Sequence, residues 1–245
     1  MPNMVKTSTT LFAPKVRYSS TFDIHSDAMM AWRAEMELGY FDEDDDPGDA
    51  TQVSGGHAEF VLVDVGADPI GELLDSLSPD AAYFSTLFEG VDVAPAVQQE
   101  FEDAPFNRIL IVTRVEVAAP LRGHGLGAWL VAELVARMAS PIDTLVLLYP
   151  NLAGPHADNV TEMAGAEALW SYWQRCGLAP LEHHPQFLAA ATAYTHLLRA
   201  RDVLRSVGDV RIAVPASLIR RESPEESQRM VITDPEPGGL RLVRD

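Results

Sequence analysis

Between Arg108 and Leu148 the hydrophobic pattern changes twice, and this stretch narrows the fold more than any other. Arg108 to Ala118 (RILIVTRVEVA) is β-branched and nearly continuous, as expected of a strand deep in a sheet. A glycine-rich segment follows. From about Gly125 to Met138, Leu126, Leu130, Leu134 and Met138 then recur every fourth residue on one helical face. Ser140 and Pro141 end that helix, and Thr144 to Leu148 (TLVLL) is a second buried strand. The unit is strand–loop–helix–strand, so the chain belongs to the α/β class.

Its loop reads Arg122-Gly123-His124-Gly125-Leu126-Gly127, which fits Arg/Gln-x-x-Gly-x-Gly/Ala. Glycines let main-chain amides reach phosphate oxygens that a side chain would fend off. The following helix directs unpaired N–H groups and its positive end at the same place. Together these predict a diphosphate site. A Walker loop needs Gly-Lys-Ser/Thr, which is missing. A dinucleotide fingerprint over Gly123, Gly125 and Ala128 wants an acid at the end of the next strand, where the chain has Leu148-Tyr149-Pro150-Asn151.

Elsewhere, Lys15 to Ile24 reads as a first strand and Asp27 to Leu38 as a helix carrying Met29, Met30, Trp32 and Met36. His57 to Val65 is a strand, and Pro69 to Phe88 a helix. A further helix opens at Asn159 with Glu162 as its capping-box partner and closes at Gly177. Gln186 to Ala193 is a last core strand. An Arg-rich helix follows over Thr195 to Val207, then a short strand over Val210 to Val214. Asp42 to Asp49 is an acidic loop. Its alternating Asp42, Asp44 and Asp46 suggest calcium, but Pro47 and Val53 stand where an EF-hand needs Gly and Glu.

Charge is uneven. Of the 36 acidic residues, 21 lie in residues 1–105 with only 4 basic ones, so nearly all of the net −18 belongs there. Nucleic acid is not expected as a partner, because phosphate binding needs a basic face. A cationic partner would be steered toward this surface; its alternative is an ordinary solvated acidic face. No run of 18 apolar residues exists, so no membrane-spanning helix is expected. No secretory signal is evident over Met1 to Lys15. The lone Cys176 rules out a disulfide framework and points to the cytoplasm. His183 and His184 have no carboxylate or thiol at ligand spacing, so no metal site is expected.

Val117 at a strand end, then Arg122, Gly125 and Gly127, and later Leu169 to Leu178 (LWSYWQRCGL) closing on Gly177, resemble the GNAT acyltransferases over about residues 106–180. The resemblance implies a mixed central β-sheet flanked by helices, with two parallel strands splaying apart to hold acyl-CoA. It implies an acidic acceptor side over 1–105, an acetyl-CoA-binding core over 106–195, and an extension over 196–245. Cofactor contacts then fall on Val115, Glu116, Val117, Arg122, Gly123, His124, Gly125, Leu126, Gly127, Ala128 and Asn151. The implied reaction is direct attack by a primary amine, small or peptidic, on the thioester of acetyl-CoA. A homodimer is left open.

Such a reaction needs a base and an acid. Glu116 is the candidate base; its alternative is an ion pair with Arg114 or Arg137. Tyr149 and Tyr172 compete for the acid, since Trp173 stands where many relatives have a tyrosine. His156 and Asp158 are secondary candidates for the acceptor pocket, with an ordinary polar loop as their alternative. Two rival readings keep the sheet but drop the chemistry: a catalytically silent CoA binder, and an acidic protein that occupies a basic partner.

Overall fold

Three long strands, β1 (Ser8–Thr21), β2 (Met29–Tyr40) and β3 (Thr51–Asp64), form an antiparallel meander that opens the chain. The structure is a computed structural model describing residues 8–21, 27–41, 50–102, 104–150, 159–221 and 230–232. The helix expected over Asp27 to Leu38 is therefore a strand. Ala34, Met36, Leu38 and Tyr40 alternate into the core while Arg33, Glu35 and Glu37 take the other face. Met29 is also buried, but against the opposite face of the sheet, so counting both faces together imitates a helical period. β1 begins well before Lys15, with a register shift between Phe12 and Lys15. The acidic loop Asp42 to Asp49 lies outside the described residues.

After β3 come α1 (Ile70–Leu77), α2 (Pro79–Ala82) and a 3-10 turn over Tyr83–Leu87, where one continuous helix was expected. Pro79 forces Ser78 into an extended conformation, which breaks the helix. The Ser78 hydroxyl then accepts the Ala81 N–H and caps the second piece. A small hairpin, β4 (Phe88–Glu89) with β5 (Asp92–Val93), and α3 (Pro95–Gln99) lead into β6 (Arg108–Val117). Next are α4 (Leu126–Met138), β7 (Thr144–Leu148), α5 (Asn159–Gln174), β8 (Ala179–Pro180) and β9 (Leu188–Ala191). α6 (His196–Leu204), β10 (Arg211–Pro215), β11 (Ile219–Arg221) and β12 (Met230–Ile232) complete the order. The last two strands were not expected from sequence, and the side chains of the Asn159–Glu162 capping box fall outside the description.

The main sheet is mixed and runs β10-β1-β2-β3-β6-β7-β9-β8. Its parallel pairs are β6 with β7 and a two-residue contact of β12 with β3. One face packs on α4, with Leu110, Val112, Leu126, Leu130 and Leu134 at its centre. The other packs on the α1–α3 region through Val61, Ile70, Leu74, Phe84, Ile109 and Ile111.

Two features of β6 position everything that follows. β3 pairs Glu59 with Arg114 and Phe60 with Val112, so Thr113 is an extra residue, a bulge. Its hydroxyl donates to the Glu59 carbonyl at 3.1 Å. The bulge resets the alternation, so that Val115 and Val117 face the same core as Leu110 and Val112. Pairing with β7 also stops here, at Val112–Leu148. Beyond it, Thr113 to Val117 keep β3 on one edge and have no strand on the other among the described residues.

Candidate functional site

The open edge of β6 runs directly into the glycine loop. Ala118 donates its N–H to the Gly55 carbonyl at 3.0 Å, and strand alternation then turns the Val117 N–H toward the unpaired edge. Arg122 Nε donates to the Val117 carbonyl at 3.0 Å, so Arg122 closes the strand end. Gly123 and Gly125 are left-handed, at φ 83° and 79°, which explains two of the glycines by backbone alone. Gly125 caps α4 by accepting the Trp129 N–H. Among the described residues, no hydrogen bond takes the amides of Gly125 and Leu126, whereas the Gly127 N–H is turned to Tyr172 Oη. The Ala128 amide differs: it donates to Tyr172 Oη at 2.8 Å. His124 is exposed, while the side chains of Leu126 and Ala128 are buried in the core.

Gly127 has a second reason to be glycine. A Cβ there would stand 2.9 Å from Tyr172 Oη. Burial pushes the Tyr172 pKa up, partly opposed by the Ala128 N–H, so the phenol keeps its proton near neutrality. An oxygen that accepts one N–H still has a proton to give. Sequence reasoning missed Arg175, whose guanidinium lies 3.4 Å from where a Gly125 Cβ would be and 5.7 Å over the Tyr172 ring. The signal was its position one helical turn after Tyr172. It brings a cation to amides that already favour an anion.

Two cavities meet at the open edge. The first, about 260 Å³, is lined by Val117, Arg122, Gly123, Gly125, Gly127 and Tyr172. The second, about 150 Å³, is lined by Asp80, Phe84, Arg114, Glu116 and Tyr149. Val115, Leu169 and Trp173 border both. Glu116 and Tyr149 therefore share one chamber, and Tyr172 belongs to the loop cavity on the far side of Trp173. Asn151, His156 and Asp158 lie outside the described residues.

Glu116 is not desolvated: its side chain is 59% exposed. It stands 3.8 Å from Arg114, the ion pair anticipated as its alternative, and 4.0 Å from His57 Nε2. Arg114 also reaches Asp80 at 3.4 Å and Glu59 at 4.0 Å, and Arg33 pairs with Glu59 at 3.1 Å. Cross-strand register explains the cluster. Arg33, Glu59 and Arg114 form one row across β2, β3 and β6, and Glu35, His57 and Glu116 the next. Burial and then Arg33 push the His57 pKa below 6.5, against Glu116, Glu59 and Glu35. A largely buried, neutral imidazole beside Glu116 is a proton acceptor that the strand pattern alone did not single out. Cys176 is no nucleophile, because burial pushes its thiol up to about 12. No family model, curated protein or solved structure compared with the chain matches it.

Proposed function

We propose that the chain is a GNAT-type N-acyltransferase that moves an acetyl group from acetyl-CoA to a primary amine in the cytoplasm. One observation carries the reading: the half-unpaired edge of β6, which joins a glycine loop with unbonded amides to a chamber holding a carboxylate. The residues fit the donor. Amides of Gly125 and Leu126, with Arg175 beside them, suit a diphosphate. The free edge from Thr113 to Val117 suits the amide groups of a pantetheine arm, and the outward Val117 N–H suits a thioester carbonyl. Acetyl-CoA supplies an activated acyl carbon.

The chain's own groups supply the rest. Glu116, with His57 behind it, takes the proton that an ammonium ion must lose before it attacks. The Val117 N–H stabilises negative charge on the carbonyl oxygen. Tyr172 or Tyr149 returns a proton to the departing thiolate. The acidic groups around the chamber favour a cationic acceptor. Trp173, in place of the family's tyrosine, favours a second reading, a CoA binder without turnover.

Amine-dependent thiol release from acetyl-CoA separates the two. The transferase reading expects release with a primary amine, and a fall of about a hundredfold in kcat/KM for Glu116→Gln. Acetyl-CoA binding with no release for any amine class would leave the silent binder.

A further inference from the structure

The chamber containing Glu116 has two unlike sides. One is aromatic: Phe84 and Tyr149 line it, backed by Phe187, which meets Tyr149 at 5.4 Å and Phe84 at 5.1 Å. Outside the chamber, Tyr83 stacks on Tyr149 at 5.5 Å and is 56% exposed. The other side is ionic. There the Arg114 guanidinium is already shared among Asp80, Glu116 and Glu59, so the local surplus is negative. The volume, about 150 Å³, is that of a cavity able to take one benzene ring.

These features fix more about the acceptor than its charge. Resting on the transferase reading, we propose that the acceptor is a small arylalkylamine: one apolar ring, a short chain and a primary ammonium group. The ring lies along Phe84 and Tyr149, where offset or edge contact between aromatic faces is favourable. The ammonium turns to Asp80 and Glu116, beside the open edge of β6 where the acyl carbon must arrive. A polyamine would set its further charges against ring faces, weaker partners than carboxylates, and leave the apolar area unmatched. An amino sugar would bury hydroxyls there without acceptors. A lysine side chain fills the chamber with an alkyl stem but leaves the ring face unmatched.

Isothermal titration of the full chain with phenethylamine, spermidine, glucosamine and N-acetyl-lysine amide, each with and without CoA, tests this. Phenethylamine should bind about tenfold more tightly than any of the others. Asp80→Asn should weaken it roughly threefold with no change in melting temperature, since Asp80 is a half-exposed surface group. Tighter binding of spermidine, glucosamine or the lysine amide overturns the proposal. Acetyl-CoA binding without preference for phenethylamine overturns it while leaving the transferase reading intact. Phenethylamine binding by a chain that ignores acetyl-CoA removes the transferase reading and keeps the chamber assignment.

Discussion

At Gly127 an added Cβ meets the Tyr172 hydroxyl at 2.9 Å, closer than real Cβ contacts come. Gly127→Ala should displace Tyr172 from the Ala128 amide and lower stability by about 1 kcal/mol, measured by urea unfolding. Tyr172→Phe should cost a similar amount, and the double variant little more, because both remove the same bond. Full additivity would show that the two sites are uncoupled. His57 predicts a pH effect. Its folded pKa lies below 6.5, so the unfolded chain takes up a proton that the folded chain resists. Stability should therefore decline as pH falls below about 6.5 and level off once folded His57 is itself protonated. In His57→Gln that part of the slope should vanish; an unchanged slope would assign it to other groups.

Among elements, β6 carries the most information. Deleting Thr113 removes the bulge but joins Val112 to Arg114 in unbroken register with β3, so Val115 and Val117 stay on the core face and Arg114 and Glu116 on the other. By circular dichroism the deletion should therefore fold, whereas one residue inserted after Thr113 turns Arg114 and Glu116 toward the core and should unfold the chain; an unfolded deletion variant would contradict this register. β6, α4 and β7 were legible in sequence because a continuous apolar run, an apolar residue at every fourth place and another apolar run each have one interpretation. β2 was not, since it buries residues on both faces of the sheet and its period blurs. The bulge was hidden for a related reason. Apolar positions slip from Leu110 and Val112 to Val115 and Val117, but Ile109 and Ile111 are apolar too, so no phase exists upstream to slip from. Gly123 and Gly125 were readable as glycines that the turn of the loop requires. Tyr172 on the Ala128 amide and Arg175 beside Gly125 depend on how α5 meets α4, which no local pattern encodes.

For the whole molecule, acidity and architecture point to one place. The acidic N-terminal part supplies β1 to β3 and α1 to α3, and its Asp80, Glu59 and His57 gather beside Glu116. The helix α4 core lies on the opposite face of the sheet, with the glycine loop at its entrance. Val115, on the open edge of β6, borders both cavities, so the two meet at that edge. β10 pairs with β1, which joins the C-terminal stretch to the same sheet. The most direct measurement is thermal and urea denaturation of the full chain with acetyl-CoA, beside Gly125→Val. At about 100 times its dissociation constant acetyl-CoA should add about 2.7 kcal/mol to the native chain and nothing to the variant. Equal stabilisation of both, or of neither, would contradict diphosphate binding at the loop.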